Sequence, residues 1–130
     1  MTPRLDMIGF AVRDMDASLA FYRRLGLEPE AVGEGHVEAK LPSGLRIAWD
    51  THDVMKSFDP GWKPAEGGSS PISLAFLVDS PAEVDSLYAE LTAAGYTGHL
   101  APWDAFWGQR YAVLRDPDGN DVALFAALET

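Results

Sequence analysis

Cysteine is missing from all 130 residues. That excludes a disulfide framework and a thiolate metal site, and it removes the most reactive side-chain nucleophile. Basic residues are scarce, with 10 Lys and Arg against 20 Asp and Glu and a formal charge of −10. Such a chain lacks the positive footprint that nucleic acid requires, and an anionic membrane surface would repel it. No nucleic-acid partner and no membrane partner is therefore expected. No stretch approaches the roughly 18 consecutive apolar residues of a membrane span. The opening Met1-Thr2-Pro3-Arg4-Leu5-Asp6 has neither the basic nor the apolar region of a secretory leader, so a cytoplasmic location is the expectation. There is no Gly-x-Ser-x-Gly elbow, and Gly67-Gly68 opens no phosphate-cradling loop. Carboxylates are many, but no pair stands out as acid and base.

What is present is an ordinary apolar fraction, 47%, enough for one domain or two small modules. Its densest aromatic stretch is Pro102-Trp103-Asp104-Ala105-Phe106-Trp107-Gly108-Gln109-Arg110-Tyr111, running into Arg115-Asp116-Pro117-Asp118-Gly119-Asn120. Trp and Phe offer large flat apolar faces, a platform for a planar ligand. Core filling is the plainer explanation for any single Trp. It suits the group less well, because Trp103, Asp104, Trp107, Gly108 and Gln109 show no clean core period. Asp118-Gly119-Asn120 is turn chemistry, and Tyr111–Leu114 and Val122–Phe125 read as the strands around it. The segment is expected to be an aromatic loop that opens a strand and then a hairpin.

Earlier in the chain, Leu5–Val12 alternates as a strand, with Ile8, Phe10 and Val12 on one face. Asp14 or Asp16 caps a helix over Ala17–Leu25, which Gly26 stops. His36–Leu41 alternates again, placing His36, Glu38 and Lys40 on one face. Pro42-Ser43-Gly44 turns into a strand over Leu45–Trp49. Asp50–Ser70 reads as a long connection with a helical turn near Val54-Met55-Lys56. A strand follows over Ile72–Val78. Ser80-Pro81-Ala82-Glu83 then starts a helix that buries Val84, Leu87, Tyr88 and Leu91 and ends at Gly95. Phe10, Val12, Tyr22 and Leu25 recur as Phe76, Val78, Tyr88 and Leu91 at a constant offset of 66. Each half is thus strand, helix and three strands. The expected fold class is α+β: two paired βαβββ modules in one domain over 1–130, whose curved mixed sheets leave a concave ligand cleft. Module 1 spans about 4–62, a linker about 63–70 and module 2 about 71–128.

This repeat, with Ala17-Ser18-Leu19-Ala20-Phe21-Tyr22, Leu25-Gly26 and Asp116-Pro117-Asp118-Gly119-Asn120, resembles the vicinal oxygen chelate superfamily of glyoxalases, bleomycin resistance proteins and dioxygenases. Three further stretches resemble the mitomycin-binding resistance proteins of that superfamily: Leu45–Thr51, Ser57–Trp62 and Ala94–Leu100. So does Pro102-Trp103 together with Trp107–Ala112. That likeness implies that His36 and Trp107 flank a flat drug, and that the protein is a homodimer with clefts built between subunits. A drug exporter is left open as a further partner.

Enzymes of the superfamily hold a divalent metal at four matched positions, which here are Met7, Ala48, Ser73 and Ala123. None offers imidazole or carboxylate, so neither metal nor other cofactor is expected. With Gly9 and Ala75, these small residues are expected to leave the floor of the cleft open. His52 and His99 are expected to be ordinary hydrogen-bonded histidines. The expected function is sequestration of a planar aromatic antibiotic without turnover. Mitomycin-like quinones come first, with enediyne or bleomycin-type drugs behind. The expected ligand-binding residues are His36, Glu38, Arg46, Trp103, Phe106, Trp107, Gln109 and Tyr111, with no catalytic residue. A metal-independent or atypical enzyme of the same superfamily is the rival reading.

Overall fold

Three helices start by the same device, a side chain that caps the first turn. In the computed structural model, which describes residues 2–128, the Asp14 side chain accepts from the Ala17 N–H at 3.1 Å and α1 runs over Met15–Arg24. Ser80 accepts from the Glu83 N–H at 3.2 Å, and α3 (Pro81–Ala93) begins with Pro81, whose fixed φ and missing N–H suit a first turn. Helix α1 begins two residues earlier than the apolar spacing predicts, because the Asp14 cap sets its start.

The chain divides into two units, residues 1–66 and 67–130. In the first, β1 (Met7–Val12), β2 (Glu30–Gly33), β3 (His36–Lys40) and β4 (Arg46–Thr51) form an open sheet in the order β1-β4-β3-β2. β1 runs parallel to β4 and the other pairs are antiparallel. The alternation read in β1 decides which face the helix covers. Phe10 stacks on Tyr22 of α1 at 5.6 Å, and its register partner Trp49 meets the same Tyr22 ring. Trp49, Tyr22 and Phe21 are fully buried there. Met7, Gly9 and Ala11 therefore face away from α1, in register with Arg46, Ala48 and Asp50. Strand β2 is exposed along its whole length, so it has no alternation to read. The helical turn near Val54 is longer than expected: α2 spans His52–Phe58, capped by Thr51.

In the second unit β5 (Ser73–Leu77), β6 (Thr97–Ala105), β7 (Gln109–Arg115) and β8 (Asp121–Ala127) repeat the plan in the order β5-β8-β7-β6. The pair β5–β8 is parallel and the others are antiparallel. Two four-stranded mixed sheets with three helices make an α+β fold, and neither sheet closes on itself.

The aromatic segment is corrected here. It is not a loop as far as Gly108, because β6 continues to Ala105 and pairs Trp103 with Tyr111. Pro102 is tolerated because β6 is an edge strand and the register shifts between Leu100 and Trp103. Only Phe106–Gly108 turns, closed by the Gly108 N–H on the Ala105 carbonyl, with Gly108 at φ +91°.

The β7–β8 turn depends on one buried carboxylate. Asp116, 5% exposed, accepts from the Asp118 and Asn120 N–H groups and from Asn120 Nδ2, each at 2.9 Å. Asp116→Ala strands those donors and is expected to cost about 2 kcal/mol or more. Urea denaturation checks this, and an unchanged midpoint would mean that the turn holds without the carboxylate.

Candidate functional site

The second sheet carries Trp103, Tyr111 and Phe125 on the face away from α3, while Phe76 lies on the helix side in register with Leu124. Register puts Trp103 opposite Tyr111 and Tyr111 opposite Phe125, in one row across β6, β7 and β8. Trp107, from the turn, joins this row at ring-centroid distances of 6.0 Å to Trp103 and 5.3 Å to Tyr111. The three rings Trp103, Trp107 and Tyr111 stand 71–90° to one another. Trp107 Nε1 donates to Gln109 Oε1 at 2.8 Å, which fixes the indole. The ring remains 47% exposed, and Phe106, edge-on to it, is 96% exposed. Arg110 alternates to the other face, where it pairs with Asp85 of α3 and with Asp104.

The first sheet carries charge instead. On its face away from α1, Glu38 lies opposite Ala48 and His36 opposite Asp50. The imidazole is held at both nitrogens, Nδ1 by Asp50 and Nε2 by Glu38 at 2.6 Å. Glu38 also accepts from Arg46 Nη1 at 2.8 Å, and Arg46 Nη2 reaches Asp6 at 2.5 Å. The Glu38 carboxylate, and then Asp50, raise the His36 pKa above its ordinary 6.5. His36, and then Arg46, hold Glu38 below its ordinary 4.5. When protonated, His36 donates to both carboxylates, in a chain of alternating charge from Asp6 to Asp50.

The structure groups the expected residues within each unit: Trp103, Phe106, Trp107, Gln109 and Tyr111 in the second, and His36, Glu38 and Arg46 in the first. The polar members bond to one another: Arg46 is tied between Glu38 and Asp6, and the Gln109 carbonyl to Trp107. Asp6, Asp50 and Phe125 extend the two groups. Asp50 was within reach of the sequence, because a turn at Pro42-Ser43-Gly44 that sets Lys40 opposite Arg46 must set His36 opposite Asp50. Of the other histidines, His52 packs on the Trp62 ring at 4.8 Å, and His99 lies 3.4 Å from Arg115.

A family profile described as the glyoxalase/bleomycin resistance protein/dioxygenase superfamily matches residues 4–124. The chain belongs to that superfamily. No curated protein matches it. A family enzyme from Burkholderia phytofirmans PsJN shares 24% identity over 97% of this chain and 100% of its own, with TM-score 0.84. A lactoylglutathione lyase from Agrobacterium tumefaciens shares 23% over 97% and 95%, with TM-score 0.69. A superfamily protein from Nocardioides shares 24% over 99% and 86%, with TM-score 0.80. At these identities the likeness is one of fold.

The superfamily's metal positions do not fit a metal here. Register places Met7 and Ala48 on the charged face of the first sheet, and Ser73 and Ala123 on the aromatic face of the second. They supply a thioether, a hydroxyl and two methyls, not the imidazole and carboxylate donors a divalent ion takes. Asp50 and Glu38 bind opposite edges of the His36 ring, so these three donors diverge from any common point. The small residues differ in exposure. Gly9, Ser73 and Ala75 are exposed, but Ala48 and Ala123 are buried, flanked in register by Glu38 and Val113.

The charge chain has a definite pH window. A raised His36 pKa contributes stability that is complete below 6.5 and lost as pH rises through the folded value. A lowered Glu38 pKa contributes stability that is complete above 4.5 and lost as pH falls through its folded value. Both contributions are complete between those limits. Histidine NMR is expected to show His36 titrating above 6.5, with Asp50→Asn bringing it down. The stability deficit of His36→Gln is expected to be largest inside the window and to shrink at higher pH. Titration at or below 6.5 would mean that the bracket does not hold in solution.

Proposed function

We propose that this protein binds and sequesters a planar aromatic antibiotic, without making or breaking a bond in it. Mitomycin-like quinones are the first class to test, with anthraquinone-fused enediynes and bleomycin-type drugs next. The observation that carries the reading is the partly exposed group Trp103–Trp107–Tyr111, with Trp107 pinned by Gln109 and still half open to solvent. Large apolar rings left exposed on a sheet face signal a surface that something covers. Covering them gains on the order of 25 cal/mol per Å² before association costs. Resistance would follow by mass action, since bound drug is withheld from its target. The likeness of Pro102-Trp103 and Trp107–Ala112 to the mitomycin-binding resistance proteins supports the same reading, as does a superfamily that includes bleomycin resistance proteins.

A homodimer belongs to this proposal. Ile72, just before the edge strand β5, and Leu77, its last residue, are 62% and 71% exposed and would be covered by a second copy. Sedimentation at micromolar concentration is expected to give a dimer, and a monomeric mass contradicts it.

Ligand titration tests the binding reading. Trp107→Ala is expected to weaken mitomycin C binding at least about tenfold, because a truncated anchor commonly costs about 2 kcal/mol. Trp107→Phe should lose less, and Trp62→Ala should matter little. Circular dichroism confirms that the variants fold. Wild-type affinity of Trp107→Ala for mitomycin C, an anthraquinone enediyne and bleomycin alike would make Trp107 a packing residue and end the proposal.

A further inference from the structure

The second unit is almost without positive charge. Residues 67–130 hold Arg110 and Arg115 as their only Lys or Arg, against nine Asp and Glu, a formal −7 of the chain's −10. Both arginines are engaged. Arg110 Nε donates to Asp85 at 2.9 Å on the helix side of the sheet, and Nη1 to Asp104 at 3.1 Å. Arg115 forms an ion pair with Asp121 at 3.3 Å and lies against His99. An anionic ligand on the aromatic face would meet no unopposed cation of this unit.

The rings themselves point the same way. Trp103, Trp107 and Tyr111 are close to mutually perpendicular, with centroids 5.3–6.0 Å apart. A flat neutral ligand can lie parallel to one of them only. A positive charge is attracted to every ring face it meets, because each face is the negative end of a quadrupole. The indole N–H of Trp107 is already donated to Gln109, so this ring recognises through its π face and not through a hydrogen bond to a ligand carbonyl.

We infer that the ligand of this aromatic face carries positive charge: a flat ring system that is itself cationic or bears a protonated amine. The inference rests on the stacking reading above and ranks its candidates: a flat cation should bind more tightly than a neutral quinone such as mitomycin C. The π faces give short-range preference for the cation, and the unit's net charge adds a longer-range pull that salt weakens.

Three tricyclic probes of similar size separate charge from shape: 9-aminoacridine, a cation at neutral pH; acridone, which is neutral; and acridine-9-carboxylate, an anion. Calorimetric titration of the whole chain is expected to rank them cation, neutral, anion, with the cation at least about fivefold tighter than the neutral probe. Added salt should narrow the gap, and Trp107→Ala should remove most of it. Trp107-dependent binding in which acridone equals or exceeds 9-aminoacridine overturns the charge inference and leaves the stacking reading standing. A cation preference untouched by Trp107→Ala is diffuse attraction to an acidic surface and also overturns it. If no probe binds in a Trp107-dependent way, both readings fail.

Discussion

The register of β7 between its neighbours decides what the second sheet presents. In the observed pairing Tyr111 lies between Trp103 and Phe125, and Arg110 turns to the helix side to meet Asp85. A slip by one residue would exchange the two faces of β7: Tyr111 would go under the helix and Arg110 onto the aromatic face. Two features oppose that slip. Ala112 and Leu114 are fully buried on the helix side, and the Asp116 carboxylate locks the turn into β8. The aromatic face is thus set by core packing and a buried turn, not by the aromatic residues alone.

The first sheet follows the same logic with different side chains. Its hairpin register puts His36 beside Asp50, and the parallel pairing with β1 brings Asp6 near enough for Arg46 to bridge it to Glu38. Positions that elsewhere in the superfamily serve metal chemistry are here small or apolar, and the neighbouring polar groups bond among themselves. The two halves share a plan and differ in what they offer: one an alternating chain of charge, the other exposed rings within an acidic unit.

Much of this was legible in the chain. Alternation in Leu5–Val12 and His36–Leu41, helix-start signals at Asp14 or Asp16 and at Ser80, and the offset of 66 showed the strand-helix-strand plan of both halves. The faces of Glu38 and His36 followed from alternation alone. Three features did not. β2 is exposed throughout and so has no apolar rhythm. The strand character of Pro102–Ala105 was hidden by Pro102, which reads as a breaker unless the strand is known to lie at an edge. The mutual bonding of Arg46, Glu38, Asp6 and His36 depends on cross-strand register and side-chain reach, which a linear pattern does not display.

The central claim is that Trp103 and Trp107 form a ligand surface and not merely a packed edge. The chain's four tryptophans allow a direct measurement, because each indole N–H gives its own proton–nitrogen NMR signal. Titration with mitomycin C, and separately with 9-aminoacridine, should move the Trp103 and Trp107 signals in a saturable way. The signal of Trp49, which is fully buried under α1, should stay in place. Saturable binding that leaves Trp103 and Trp107 unmoved would contradict the account.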